Sequence, residues 1–179
     1  MVGNFKLLLL FIISLSCSPV NKNLGEEIIS QNFDCFLNDI PEFLSKETPD
    51  GIIPIIVSDS ITTNNFIINY CQDVCFDKIN VEGFKIDNKT AYNNFIIKKI
   101  PKQDRYSKIF LVNDYKSLKL KKYIALNFYN FYINNDCTKA FIIVEKNEVE
   151  SKWGKTEVYF FNKEKGKWKF YKKELLLIG

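Results

Sequence analysis

Two sets of acidic residues carry the spacing that general acid–base chemistry needs. Asp73 and Asp77 stand one helical turn apart, and Glu145, Glu148 and Glu150 crowd one short stretch. Paired carboxylates can divide proton donation and acceptance in a hydrolysis, provided both face one cleft. Their ordinary role is solvated surface charge, and spacing alone does not separate the two. The rest of the chemical inventory is thin. Histidine is absent, which excludes a Ser-His-Asp or Cys-His nucleophile system, a His general base and a His-ligated zinc site. Arg105 is the single arginine, poor equipment for bidentate phosphate recognition, so nucleic acid is not an expected partner. The chain shows no cofactor motif, and none is expected.

Beyond Cys17, the cysteines Cys35, Cys71, Cys75 and Cys137 form an even set. In an exported chain such a set reads as a disulfide framework whose pairing the sequence leaves open. Cys71 and Cys75 share one face of a helix, where a bridge between them is geometrically awkward. Each bonding elsewhere, or one pair plus two buried thiols, is the expectation. A four-cysteine zinc site wants two close pairs, and only one is present, so no metal is expected.

Charge is laid out unevenly. Eight acids stand against Lys46 in residues 24–60, whereas Lys98, Lys99, Lys102, Arg105, Lys108, Lys116, Lys119, Lys121 and Lys122 stand against only Asp104 and Asp114. With Tyr106, Phe110, Tyr115 and Tyr123 interleaved, this basic stretch is a candidate patch for anionic headgroups or an acidic partner protein. The plainer reading is a solvated region partly neutralised by the acidic helix beside it.

The elements that must position these residues follow from periodicity. Ile28, Ile29, Phe33, Phe36, Leu37, Ile40, Phe43 and Leu44 recur near 3.6 residues and predict an amphipathic helix over 26–44, broken near Pro41. Residues 46–51 read as a turn, and 52–57 as a strand with Pro54 at an edge or bulge. Helices are expected over 64–76 and 87–99, with a strand as the alternative for 94–100 because Phe95-Ile96-Ile97 favours one. From Ser107 the pattern changes to strands over 108–113, 121–133, 138–146, 155–162 and 167–174, an antiparallel meander by their short connections. Residues 163–166 close the last pair, with Gly166 free to take a positive φ. Residues 123–132 are apolar enough to predict a central strand covered on both faces. The fold class is α+β: about five antiparallel strands packed against two or three N-terminal helices.

The N-terminus decides where the chain resides. Lys6 precedes the apolar run Leu7–Ile13, then Ser14-Leu15-Ser16-Cys17 and a polar opening from Ser18 to Asn23. That run matches a signal-peptide core and is about half of what a spanning helix needs. Leu15-Ser16-Cys17 resembles the lipobox of bacterial lipoproteins processed by the type II signal peptidase. The family's aliphatic residue three places before the cysteine is Ser14 here, with Leu15 one place late. The resemblance implies cleavage before Cys17, its lipidation and attachment to a membrane. Ordinary secretion with cleavage after Ser16 is the alternative. The segment from Tyr159-Phe160-Phe161 through Gly166-Lys167-Trp168 resembles small exported proteins of the Bacteroidota with no assigned activity. Asp59-Ser60-Ile61 resembles an O-glycan acceptor of such proteins.

The domain reading is a signal peptide at 1–16, a lipidated Cys17 with a tether to residue 24, and one globular domain at 25–179. Two function classes follow. The first is a lipid-anchored, non-catalytic protein of the bacterial cell envelope, on the periplasmic face of the outer membrane or the cell surface, binding a protein, glycan or membrane surface; immunity-type proteins fall within it. The second is an envelope hydrolase built on carboxylates.

Overall fold

The computed structural model describes residues 24–38, 40, 53–67, 69, 93–102, 109–112, 122–149 and 153–179. Two short helices come first: α1, Leu24–Gln31, and α2, Phe33–Leu37. Ile28 and Ile29 of α1, and Phe33, Phe36 and Leu37 of α2, are buried. The single helix expected from residue 26 is thus interrupted at Asn32, whose φ of −129° leaves the helical region. Asn32 Nδ2 donates to Ile28 O (2.9 Å) and to Trp168 O (3.1 Å), and its Oδ1 accepts from Phe170 N (2.8 Å). A side-chain amide that competes for the helix's own carbonyl in this way turns the chain. Residues 39 and 41–44 of that prediction lie outside the described residues.

Seven strands form one mixed sheet: β1 Ile55–Thr62, β2 Phe95–Ile96, β3 Ile109–Leu111, β4 Ile124–Ile133, β5 Lys139–Glu148, β6 Gly154–Glu164 and β7 Lys167–Ile178. Their order is β2-β1-β4-β5-β6-β7, with β3 pairing the first half of β1 beside β2. The antiparallel meander expected from the sequence holds for β4 through β7. It does not extend to β3, which runs parallel to β1, as does β4. The sheet is therefore not antiparallel throughout. β1 is an inner strand that starts one residue past Pro54, and Pro54 O accepts from Ile124 N (2.9 Å). The proline, which has no N–H to offer, stands ahead of the ladder, not at an edge or bulge within it. The helix expected over 87–99 gives way at Phe95–Ile96 to a strand, as the branched and aromatic side chains favour. Residues 87–92 are outside the described set. Asn64 caps a helical turn at 65–67 by accepting from Phe66 N and Ile67 N; Asn69 is helical too, and residues 68 and 70–76 of that predicted helix are likewise outside.

The turn between β6 and β7 is as expected, with φ 49° at Lys165 and 80° at Gly166. Positive φ at both central residues matches the right-handed twist of the flanking strands. β4 is central, but its burial alternates, with Ile124, Leu126 and Phe128 inside and Ala125, Asn127 and Tyr129 half-buried. The strands buried on both faces are β5 and β6. Ala140, Ile142 and Val144 join the main core beneath the helices, while Phe141 and Ile143 join Ile67, Val158, Phe160 and Leu176 on the far face.

Helix α1 touches both margins of this sheet. At its start Gly25 lies against the Phe95 ring of β2; at its end Gln31 Oε1 accepts from Trp168 N of β7 (2.7 Å). Strand steps of about 4.8 Å would hold β2 and β7 about 24 Å apart in a flat sheet, whereas eight helical residues span about 12 Å. The sheet must therefore curl around the helices. A Cβ on Gly25 would stand 2.7 Å from Phe95 Cδ2 and 2.9 Å from Ile61 Cδ1. Gly25→Ala is expected to lower stability by about 1–3 kcal/mol in urea unfolding, despite alanine's better helix propensity. An unchanged or higher midpoint would contradict the close approach.

Candidate functional site

The ionisable groups whose proton affinity departs most from normal gather on the helix-covered face of β5, β6 and β7. Their placement follows from alternation: Val144 and Lys146 share a face of β5, and Glu157, Tyr159 and Phe161 share the matching face of β6. The register sets Val144 opposite Glu157 and Ile142 opposite Tyr159, with Lys173 of β7 opposite Tyr159. Glu157 therefore has lysines at the diagonal positions on both neighbouring strands, and Lys155 two residues earlier on its own.

The side chains close on one another. Lys146 Nζ donates to Tyr159 Oη (2.6 Å) and lies 3.2 Å from Glu157 Oε2, while Tyr159 Oη donates to Glu157 Oε2 (2.9 Å). The other carboxylate oxygen, Oε1, takes Lys155 (3.2 Å) and Lys173 (3.1 Å). Helix α2 packs on this group: the Phe36 ring lies 4.9 Å from that of Tyr159, and Cys35 beside it is a free, half-buried thiol. Burial pulls Lys146 down to about 8, against a partial pull upward from Glu157. Burial pushes the Cys35 thiol up to about 12 and raises the Tyr159 phenol well above its ordinary value, with Glu157 adding to the latter.

A lysine titrating near 8 has the basicity of a catalytic amine. Lys146, however, is fully buried, and its ammonium is committed to Tyr159 and Glu157. Its side chain has no exposed surface, and burial keeps the thiol beside it protonated at neutral pH. The cluster's chemistry is internal: one carboxylate neutralised by lysines from three strands.

The residues that the sequence singles out are placed elsewhere. Glu145 and Glu148 project from opposite faces of β5, since three residues separate them in a strand. Glu145 accepts from Asn127 Nδ2 (3.1 Å) and Tyr129 Oη (3.3 Å), and Glu148 pairs with Lys122 (2.9 Å). They do not converge. Asp73, Asp77 and Glu150 lie outside the described residues, as do Cys17, Cys71, Cys75, Arg105, Lys108, Lys116, Lys119 and Lys121. Cys137 is disulfide-bonded. Of the basic stretch, Lys98, Lys99 and Lys102 are exposed and Lys122 is half-buried in its ion pair. Ser60 of the suggested glycan acceptor is a half-buried residue of the inner strand β1. Among the described residues no group of three metal-ligating side chains forms, and no helix is long and apolar enough to cross a membrane.

A surface cleft of about 460 Å³ opens where α1 meets residues 99–101, lined by Glu26, Glu27, Ser30, Lys99, Ile100 and Pro101. Glu26 Oε1 forms its seam by accepting from Lys98 N (2.8 Å) and Lys99 N (3.0 Å). No protein-family model, curated protein or solved structure matches the chain.

The charge cluster predicts an asymmetry. Glu157→Gln leaves three ammonium groups facing one another and is expected to cost about 3–5 kcal/mol in urea unfolding. Lys146→Met leaves Glu157 with Lys155 and Lys173, and is expected to cost less than about 1.5 kcal/mol at pH 7, or to stabilise.

The pH dependence has a definite sign. Lys146 binds its proton less tightly folded than unfolded, about 8 against 10.5. Its penalty is full below pH 8 and disappears as pH rises through 10.5, by linkage. The stability of Lys146→Met relative to wild type should therefore fall by about 2–3 kcal/mol between pH 7 and 10. A pH-independent difference would show that Lys146 titrates normally.

Proposed function

We propose that this chain is a lipid-anchored, non-catalytic domain of the bacterial cell envelope, tethered through Cys17 and presenting its folded part to a protein, glycan or membrane surface. The observation that carries this reading is Leu15-Ser16-Cys17 one residue after the apolar run Leu7–Ile13, with a polar segment from Ser18 to Asn23 before α1 begins at Leu24. A short polar spacer between a lipidated cysteine and the first packed helix holds a domain near a bilayer without embedding it. The non-catalytic part is supported by the charge cluster, which spends its perturbed groups on one another. It is supported as well by the opposed directions of Glu145 and Glu148.

The test compares wild type with Cys17→Ala by detergent partitioning and intact mass. Wild type is expected to partition into the detergent phase with a diacyl or triacyl mass on Cys17, and the variant to lack that mass. A wild-type protein that stays aqueous and carries an unmodified cysteine refutes the anchor.

A further inference from the structure

We infer that the face formed by the first turn of α1 and the segment Lys98–Lys102 rests on anionic phospholipid when the protein is anchored. This rests on the lipidation of Cys17 proposed above and adds an orientation to it. The tether fixes the distance: Cys17 stands seven residues before Leu24, and seven residues reach at most about 25 Å. Whatever surrounds the start of α1 is therefore kept within about 25 Å of the membrane.

What surrounds it is the beginning of the basic stretch, joined to that turn by hydrogen bonds. Glu26 Oε1 accepts from the backbone of both Lys98 and Lys99, so one carboxylate of the acidic helix is turned onto peptide N–H groups. Glu27 Oε1 accepts from Gln31 Nε2 (3.0 Å). The ammonium groups of Lys98, Lys99 and Lys102 form no ion pair among the described residues and stand in solvent. Ile100 and Pro101, half-buried between Lys99 and Lys102, line the cleft beside α1, so apolar side chains accompany the charges on this face. Lysines over an apolar contact, within tether reach of a lipid anchor, are suited to an anionic headgroup layer.

The helix also gives the face an opposite pole. Gln31 binds β7 at Trp168, so the β6–β7 turn with Lys165 and Lys167 lies beyond the far end of α1. Those lysines are exposed and serve as an internal control.

The experiment uses the lipidated wild-type protein, verified by intact mass and reconstituted into vesicles of neutral phosphatidylcholine or of the same lipid with about 30 mol% phosphatidylglycerol. A water-soluble acetylating reagent then reports each lysine by peptide mass spectrometry. On anionic vesicles Lys98, Lys99 and Lys102 should react about threefold or more slowly than on neutral ones, with the difference lost in about 0.5 M salt. Lys165 and Lys167 should react alike on both. Equal rates for Lys98, Lys99 and Lys102 on the two membranes, or uniform slowing of all lysines, overturn the docking face while leaving the anchor intact. Absence of acyl mass on the wild type overturns both.

Discussion

The bond between the end of α1 and the outer margin of β7 is the constraint on which the rest of the structure depends. Gln31 and Asn32 hold the backbone of Trp168 and Phe170 with three hydrogen bonds, while Gly25 presses on Phe95 at the other margin. Because one short helix reaches both, the sheet is forced into a trough, and the trough is filled by Ile28, Ile29, Phe33 and Phe36. The Phe36 ring meets Phe128, Tyr159 and Phe161, which belong to β4 and β6. The same amides occupy N–H groups of β7 that would otherwise template another strand. Shape, core and edge protection thus share one cause.

Within that trough, Glu157 and its lysines fix how the last three strands slide past one another. A slip of β6 by one residue would send Glu157 to the far face, among Phe141, Ile143 and Leu176, and leave Lys146 without a counter-charge. Hydrophobic side chains alone would resist such a slip weakly here, because β5 and β6 are apolar on both faces. The polar cluster supplies the distinction that the apolar pattern lacks. Desolvation of Lys146 is the cost of that specificity.

What the sequence made visible was local. The strands β4 to β7 were readable from short apolar runs between polar turns, with alternation clear only in β7, and their last turn from Gly166, because these signals lie within a few residues. The class α+β followed from them. The second half of β1 was hidden because Ser58-Asp59-Ser60 resembles a loop, and only pairing with β2 and, past a register shift, with β4 makes it a strand. The break at Asn32 was invisible because its cause is Trp168 and Phe170, distant in the chain. The cluster escaped notice for a similar reason: Lys146, Glu157 and Lys173 sit on three strands and look like surface charges singly. Comparing which positions of each strand point inward would have exposed Lys146 and Glu157 as charges among core residues. The acidic pair at Glu145 and Glu148 was suggested by proximity in sequence, which strand geometry turns into separation.

The parallel pairing of β1 with β4 sets an order of events. β4 to β7 are joined by short connections and can associate as soon as they exist, whereas Ile55 must find Ile124 across a long intervening stretch. Closing so long a loop is slow relative to zipping hairpins. The chain is made from the other end, so Ile55-Ile56-Val57 is synthesised early and waits for β4 until the last third of the protein arrives, with only the short β3 to pair with before then. Under the proposed export of an unfolded chain, that delay would be an asset: a strand that cannot complete its sheet early cannot jam the export channel with a folded domain.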